Sequence, residues 1–180
     1  MKKIFIDPMT FYQDAFRLAK KIYDSKFYPD YLIALWRGGA SVGVIVHEYL
    51  IFKGLTPYHI PIRTQAYEGL RPLKKISVDV KGMGHVLRTM KSGENLLLVD
   101  DVFDTGKTVY NVTNIIRSRA KNCPEIKIAT LYYKPKRNET PIKPDYYIKT
   151  YNGWLIFPHE LEGLSAEEIK LKEMDLQKIL

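Results

Sequence analysis

Two adjacent carboxylates, Asp100 and Asp101, are followed after a short gap by Asp104, Thr105, Gly106, Lys107 and Thr108. Carboxylates only accept hydrogen bonds, so such a pair suits sugar hydroxyls or a hydrated magnesium ion. The loop after them suits an anion. Gly106 lets backbone N–H groups approach a ligand closely, and Thr105 and Thr108 add hydroxyl donors. A strand must deliver these residues and a helix must receive them. Leu96, Leu97, Leu98 and Val99 form an apolar run of buried-strand length, and Val109, Val112, Ile115 and Ile116 recur at helical spacing. Residues 104–108 therefore lie at a helix amino terminus, where free N–H groups and the positive end of the helix dipole receive phosphate. A plain buried strand followed by a capped helix explains the apolar run, and Asp104 as a cap, but not the whole string.

Gly106-Lys107-Thr108 also ends like a phosphate-binding P-loop, GxxxxGK[ST], but Asp101 stands where the first glycine belongs. Asp104 would then put a carboxylate inside a cradle for anionic oxygens, so a nucleotide-triphosphatase reading is poor. The complete string, an apolar strand, two acids and a DTGxT loop, resembles the phosphoribosyl-pyrophosphate (PRPP) motif of the type I phosphoribosyltransferases. The resemblance implies a role for each residue. Asp100 and Asp101 would hold the ribose hydroxyls and support magnesium. Asp104, Thr105, Gly106, Lys107 and Thr108 would bind the 5-phosphate, and Asp104 would reach N7 of a purine as the catalytic proton acceptor.

Two further segments extend the likeness to the xanthine-guanine and hypoxanthine enzymes of that family. Arg37, Gly38 and Gly39 match a loop whose backbone amides bind pyrophosphate, and the family often has a non-proline cis peptide there, making Trp36-Arg37 the candidate bond. Trp36 departs from the small or aliphatic residue expected, and a packed core aromatic is the alternative for it. Lys134 matches a lysine that donates to the oxygen at C6 of the base. Three donors and no acceptor favour hypoxanthine, guanine or xanthine over adenine. Trp154 matches an aromatic that stacks on the purine, Ile156 supplies backbone contacts to its edge, and Glu160 matches an acid that would join Asp100 and Asp101 at the metal. His159 departs from the aromatic expected beside that acid, which bears on selectivity at the 2-position.

The elements around these residues alternate. Ile4 to Ile6 form an apolar entry. Thr10 and Gln13 read as a capping box for a helix with Phe11, Ala15, Leu18, Ala19 and Ile22 on one face, ending near Ser25. Residues 31–35 read as a strand, 40–52 as a buried helix and 58–62 as another strand. Ile76, Val78 and Val80 alternate like an edge strand, and residues 85–90 read as a short helix. Strands follow at 126–133, 145–149 and 154–157, and a charged helix from Ser165. This order predicts an α/β fold with a mostly parallel central sheet flanked by helices, with sites at the carboxyl ends of the strands. The resemblance adds a small base-binding hood near the C-terminal strands.

The 180 residues, 46% of them hydrophobic, suit one domain spanning 1–180. Cys123 is the only cysteine, which excludes a disulfide framework and a cysteine zinc site and suits a reducing cytoplasm. No apolar run is long enough for a membrane span, and the first residues turn polar too early for a signal peptide. His47, His59, His85 and His159 lack metal-ligand spacing and read as structural or surface residues. Net charge is +8, so an anionic partner is expected. Residues 63–91 carry seven Lys or Arg against two acids. Its patternless first part, 63–75 with Tyr67 at its tip, is expected to close as a lid over an anionic substrate, a solvated basic loop being the alternative.

From the residues alone this is a phosphate-binding α/β protein with a divalent-ion site. The resemblance makes it a cytoplasmic purine-salvage enzyme that uses magnesium, PRPP and a 6-oxopurine base and assembles as a dimer or tetramer; the 13 tyrosines are compatible with an interface. The alternative is a nucleic-acid-binding regulator built on the same fold, which the positive charge allows but for which no DNA-binding module is visible.

Overall fold

The computed structural model describes residues 3–66, 76–78 and 80–172. Its centre is a six-stranded sheet in the order β4-β3-β2-β5-β6-β7, built from β2 (Tyr31–Trp36), β3 (Tyr58–Ala66), β4 (Ile76–Val78), β5 (Asn95–Phe103), β6 (Glu125–Tyr133) and β7 (Lys149–Thr150). All neighbours run parallel except the edge pair β3-β4. Period-two alternation sends successive side chains to opposite faces, and both are covered. Leu32, Ala34, Leu97 and Val99 pack with α1 (Pro8–Asp24) and α2 (Gly38–Phe52). Ile33, Leu35, Leu96 and Leu98 pack with α3 (Val80–Thr89) and α4 (Lys107–Arg119). Helices on both faces of a largely parallel sheet are the architecture read from the sequence.

Adjacent strands β2 and β5 hand the chain to helices on opposite faces, α2 and α4, so the sheet reverses its winding between them. Ligands bind in the crevice that such a reversal opens at the carboxyl ends of the strands. Ala34 pairs with Val99 in register, which brings Trp36 and Arg37 beside Asp100 and Asp101.

Several expectations change. The first helix is capped by Asp7, whose carboxylate accepts from Met9 and Thr10 N–H, so Thr10 and Gln13 lie inside the helix rather than forming its capping box. Strand β3 continues to Ala66, because Thr64, Gln65 and Ala66 pair with β4; this takes the first residues of the expected lid, and residues 67–75, with Tyr67, lie outside the described residues. Val80 opens α3 instead of extending the edge strand, so that helix starts ahead of residue 85. The strand expected over 145–149 shrinks to a bridge between Tyr146 and Ala129 plus β7. Finally, β8 (Trp154–Ile156) leaves the main sheet and pairs in parallel with β1 (Lys3–Phe5), forming a separate ribbon above the carboxyl-end crevice. The terminal helix is α5 (Ala166–Lys170), with a capping box made by Ser165 and Glu168.

Candidate active site

The crevice is a cleft of about 1040 Å³. One wall comes from the ends of β2 and β5. The Trp36-Arg37 peptide is cis, as the resemblance implied, and α2 begins at once with Gly38 and Gly39. Both glycines are required by contact: a Cβ on Gly38 would lie 1.8 Å from Asp101 Oδ2, and one on Gly39 would lie 2.5 Å from the Val99 carbonyl oxygen. The Arg-Gly-Gly loop is thus pressed against the acid pair, and the Gly39 N–H donates to Asp100.

Four helix starts are resolved with their caps. Those of α1 and α5 carry side-chain caps, Asp7 and Ser165, whereas α2 and α4 begin at Arg37 and Gly106 with no side-chain cap. Helix starts whose N-cap residue makes no side-chain bond leave N–H donors and a positive dipole end for other acceptors; here Gly39 N–H already meets Asp100 and Lys107 N–H the Thr105 hydroxyl at 3.5 Å, and both starts flank the acid pair. Gly106 has φ +77°, and a Cβ there would meet the Phe103 ring at 2.5 Å and Thr140 Oγ1 at 2.7 Å. The loop is braced from outside: Glu139 N–H donates to the Thr105 carbonyl at 3.0 Å, and Lys107 pairs with Glu139.

The acid pair lies within β5 rather than after it. Burial raises the Asp100 pKa well above the ordinary carboxylate range, and the neighbouring Asp101 raises it further. Burial, then the nearby Glu160, pushes Asp101 up to about 7. Two desolvated carboxylates that repel each other form a place where a cation or hydroxyl donors are favoured. Among the described residues no group of three or more His, Cys, Asp or Glu side chains is gathered to hold a metal. The expected trio of Asp100, Asp101 and Glu160 is therefore not a ligand cage, because Glu160 turns back to accept the Phe157 N–H at 2.9 Å.

The opposite wall is the β8 ribbon and the turn after it. Trp154 is 49% exposed and lines the cleft, with Lys134 Nζ 5.7 Å from its ring centroid. Lys134 is buried and donates to Asp104 Oδ2 at 2.9 Å, while Arg137 Nε comes within 2.6 Å of Asp104 Oδ1 without hydrogen-bond alignment. Asp104 is thus held between two cations and does not cap α4, which removes the local explanation for it. Ile156, expected to make backbone contacts to the base, is buried, and its carbonyl accepts the Ile6 N–H at 2.9 Å.

The structure brings Arg37, Gly38, Asp100, Asp101, Thr108, Trp154 and Glu160 to one cleft, with Gly39 beneath it. Asp104, Thr105, Gly106 and Lys107 form the adjoining loop. Sequence reasoning missed Arg63 and Thr64, which line the cleft from the end of β3, because that stretch reads as a loop. Trp36 is 53% exposed and lines the cleft, not the core. His159 also lines it, stacked on Phe157 and 3.9 Å from Asp101 Oδ2, so it is not a mere surface residue; burial lowers its pKa. Arg37 reaches over to Glu162 at 3.0 Å, joining the two walls.

Residues 5–166 match the family model of the phosphoribosyl transferase domain. The chain is 38% identical over 83 residues to the hypoxanthine-guanine phosphoribosyltransferase of Lactococcus lactis subsp. lactis (strain IL1403), covering 44% of this chain and 40% of that protein. It is 27% identical over 157 residues to the xanthine-guanine phosphoribosyltransferase of Desulfotalea psychrophila, covering 86% and 84%. Among solved structures, the purine phosphoribosyltransferase from Pyrococcus horikoshii Ot3 is similar with a TM-score of 0.72 and 28% identity, over 92% of this chain and 98% of that one. The first of these matches spans less than half of its relative, the other two most of theirs. Since the family model runs through both walls of the cleft and every strand between them, the chain belongs to the phosphoribosyl transferase domain family.

Proposed function

We propose that this protein transfers the phosphoribosyl group of PRPP to hypoxanthine, guanine or xanthine, releasing pyrophosphate, as a magnesium-dependent purine-salvage enzyme of the cytoplasm. One observation carries the reading: two helix starts whose N-cap residues make no side-chain bond flank an acid pair of which Asp101 is buried and Asp100 half-buried, and an exposed Trp154 over Lys134 faces them across the cleft. The α4 start receives the 5-phosphate and the α2 start the pyrophosphate. Asp100 and Asp101 accept from the ribose hydroxyls, and the negative charge that a neighbouring cation restores to them favours the positive sugar that develops as the C1–oxygen bond breaks. Their oxygen ligands also fit magnesium, which would be held by Asp100 and Asp101 together with the pyrophosphate. When bound, magnesium neutralises the leaving pyrophosphate.

The purine stacks on Trp154, Lys134 donates to its C6 oxygen, and Asp104 takes the N7 proton as N9 bonds to C1. Arg137 keeps Asp104 in place when Lys134 turns to the base. A cleft lined by Asp101, Glu160 and Glu162 suits a small phosphorylated ligand carried with a cation better than a nucleic-acid backbone. The enzyme acts as a homo-oligomer, a reading supported by apolar residues left exposed on α1 and α2. The test is pyrophosphate release from PRPP and magnesium with a panel of bases. Turnover is expected with the 6-oxopurines and poor with adenine; turnover confined to adenine, uracil or orotate overturns the base assignment.

A further inference from the structure

Lys172 belongs to none of the roles above, yet it is among the few buried charged residues, 7% exposed within the charged segment that begins at Ser165 and reads as a helix. Burying an ammonium is unfavourable unless donors are satisfied. Its Nζ donates to the Phe157 carbonyl at 2.5 Å and to the Pro158 carbonyl at 3.0 Å. The other backbone group of Phe157 is held too, its N–H donating to Glu160. The turn so clamped carries His159 and Glu160 into the cleft beyond Trp154. Its anchorage continues outward: the Lys172 N–H donates to Ile169 of α5, and Glu168 of that helix pairs with Lys3 of β1 at 2.5 Å.

We propose that Lys172 is a positioning residue for base recognition, its ammonium fixing the Phe157 and Pro158 carbonyls so that His159 and Glu160 form a rigid wall of the purine pocket. The proposal rests on the purine-transferase reading. The pyrophosphate and 5-phosphate sites lie on the far wall, at the starts of α2 and α4, and meet this turn through the exposed Arg37–Glu162 pair, through His159, 3.9 Å from Asp101 Oδ2, and through the charge of Glu160 near Asp101. A positioning role still separates the two substrates, which a general loss of stability does not.

Three forms of the full chain test it: wild type, Lys172→Met, which keeps the stem and removes the donors, and Lys172→Arg, which keeps the donors. In Lys172→Met the KM for the base rises roughly tenfold while the KM for PRPP stays within about twofold, and Lys172→Arg recovers most of the loss. Hydrogen exchange of the ligand-free proteins is the second readout: amides of residues 157–162 lose protection in Lys172→Met, those of β2 and β5 do not, and Lys172→Arg restores it. Unchanged exchange at 157–162, or equal rises in both KM values, overturns the clamp. Wild type inert with every purine overturns the enzymatic reading and the recognition role with it, whereas the exchange result in that case still decides whether Lys172 holds the turn.

Discussion

Asp104 is the residue proposed to take the proton of the base. Its carboxylate is shared by Lys134 and Arg137, and it does not cap the helix it precedes, whose first N–H meets the Thr105 hydroxyl at 3.5 Å instead. Asn keeps the size of the group but cannot take a proton, so Asp104→Asn is expected to lower kcat by roughly 100-fold or more. It also leaves two cations facing each other without a counter-charge, so the melting temperature should fall as well. Measuring kcat, PRPP affinity and melting together separates these effects; near-normal kcat removes Asp104 from proton transfer. Gly106 is a second residue-scale case. Gly106→Ala meets the left-handed backbone cost of about 1–2 kcal/mol and a collision with Phe103 and Thr140. Gly93, with φ +84° and nothing within 4 Å of a built Cβ, carries only the backbone cost. Denaturant unfolding should show Gly106→Ala to be the less stable of the two, with PRPP binding weakened in that variant alone.

At the scale of elements, Asp14 ties α1 to the far edge of the sheet. It is fully buried and accepts from Tyr132 of β6 at 3.1 Å, Lys149 of β7 at 2.9 Å and Arg17 at 2.8 Å. Burial opposes its ionisation, but the donors from Lys149, Arg17 and Tyr132 outweigh burial and leave its pKa below 3.8. The side chains of Lys149 and Arg17 are 44% and 59% exposed and return to water if Asp14 is removed. Only the Tyr132 hydroxyl then stays buried without its partner, so Asp14→Ala should cost about 1–3 kcal/mol, not the larger penalty of stranding a buried charge. A carboxylate with a depressed folded pKa contributes stability that is present above the unfolded value and lost as pH falls through the folded one. Wild type should accordingly lose stability below about pH 4 more steeply than Asp14→Ala, followed by urea unfolding at several pH values.

The molecule as a whole leaves large apolar side chains in water. Met9, Tyr12 and Phe16 stand at 64%, 54% and 48% exposure along one side of α1, and Val44, Ile51 and Phe52 are exposed on α2, against which α1 packs. A helix pair that already buries its inner face has no further use for such residues as a monomer, and clustered exposed apolar groups mark association surfaces. Light scattering should return at least twice the 20.9 kDa chain mass, and Phe16→Glu with Phe52→Glu should shift it towards the monomer. A monomeric wild type at working concentration would refute the oligomer. The same scale explains the cleft: β2 and β5 become neighbours only when the sheet forms, and the acid pair and the Arg-Gly-Gly loop meet because of it.

What the sequence determined alone was most of what is local, the Asp7 cap of α1 and the helical start at Val80 being exceptions. Residues 96–108 could be read as strand, acid pair, anion loop and helix because each piece is set by neighbours a few positions away: apolar runs, a glycine at a turn, helical spacing. Alternation of such units sufficed for the α/β class. Tertiary structure decided whatever depends on pairing between distant segments. The entry strand β1 takes β8 out of the main sheet and makes it a separate ribbon, and the Ile156 carbonyl accepts the Ile6 N–H. Arg63, His159 and Arg137 joined the site, and Lys172 came to be buried, through register and turn geometry that no periodicity encodes. Their side chains are ordinary polar residues in the sequence, and only the neighbours supplied by the fold give them a partner and a charge environment.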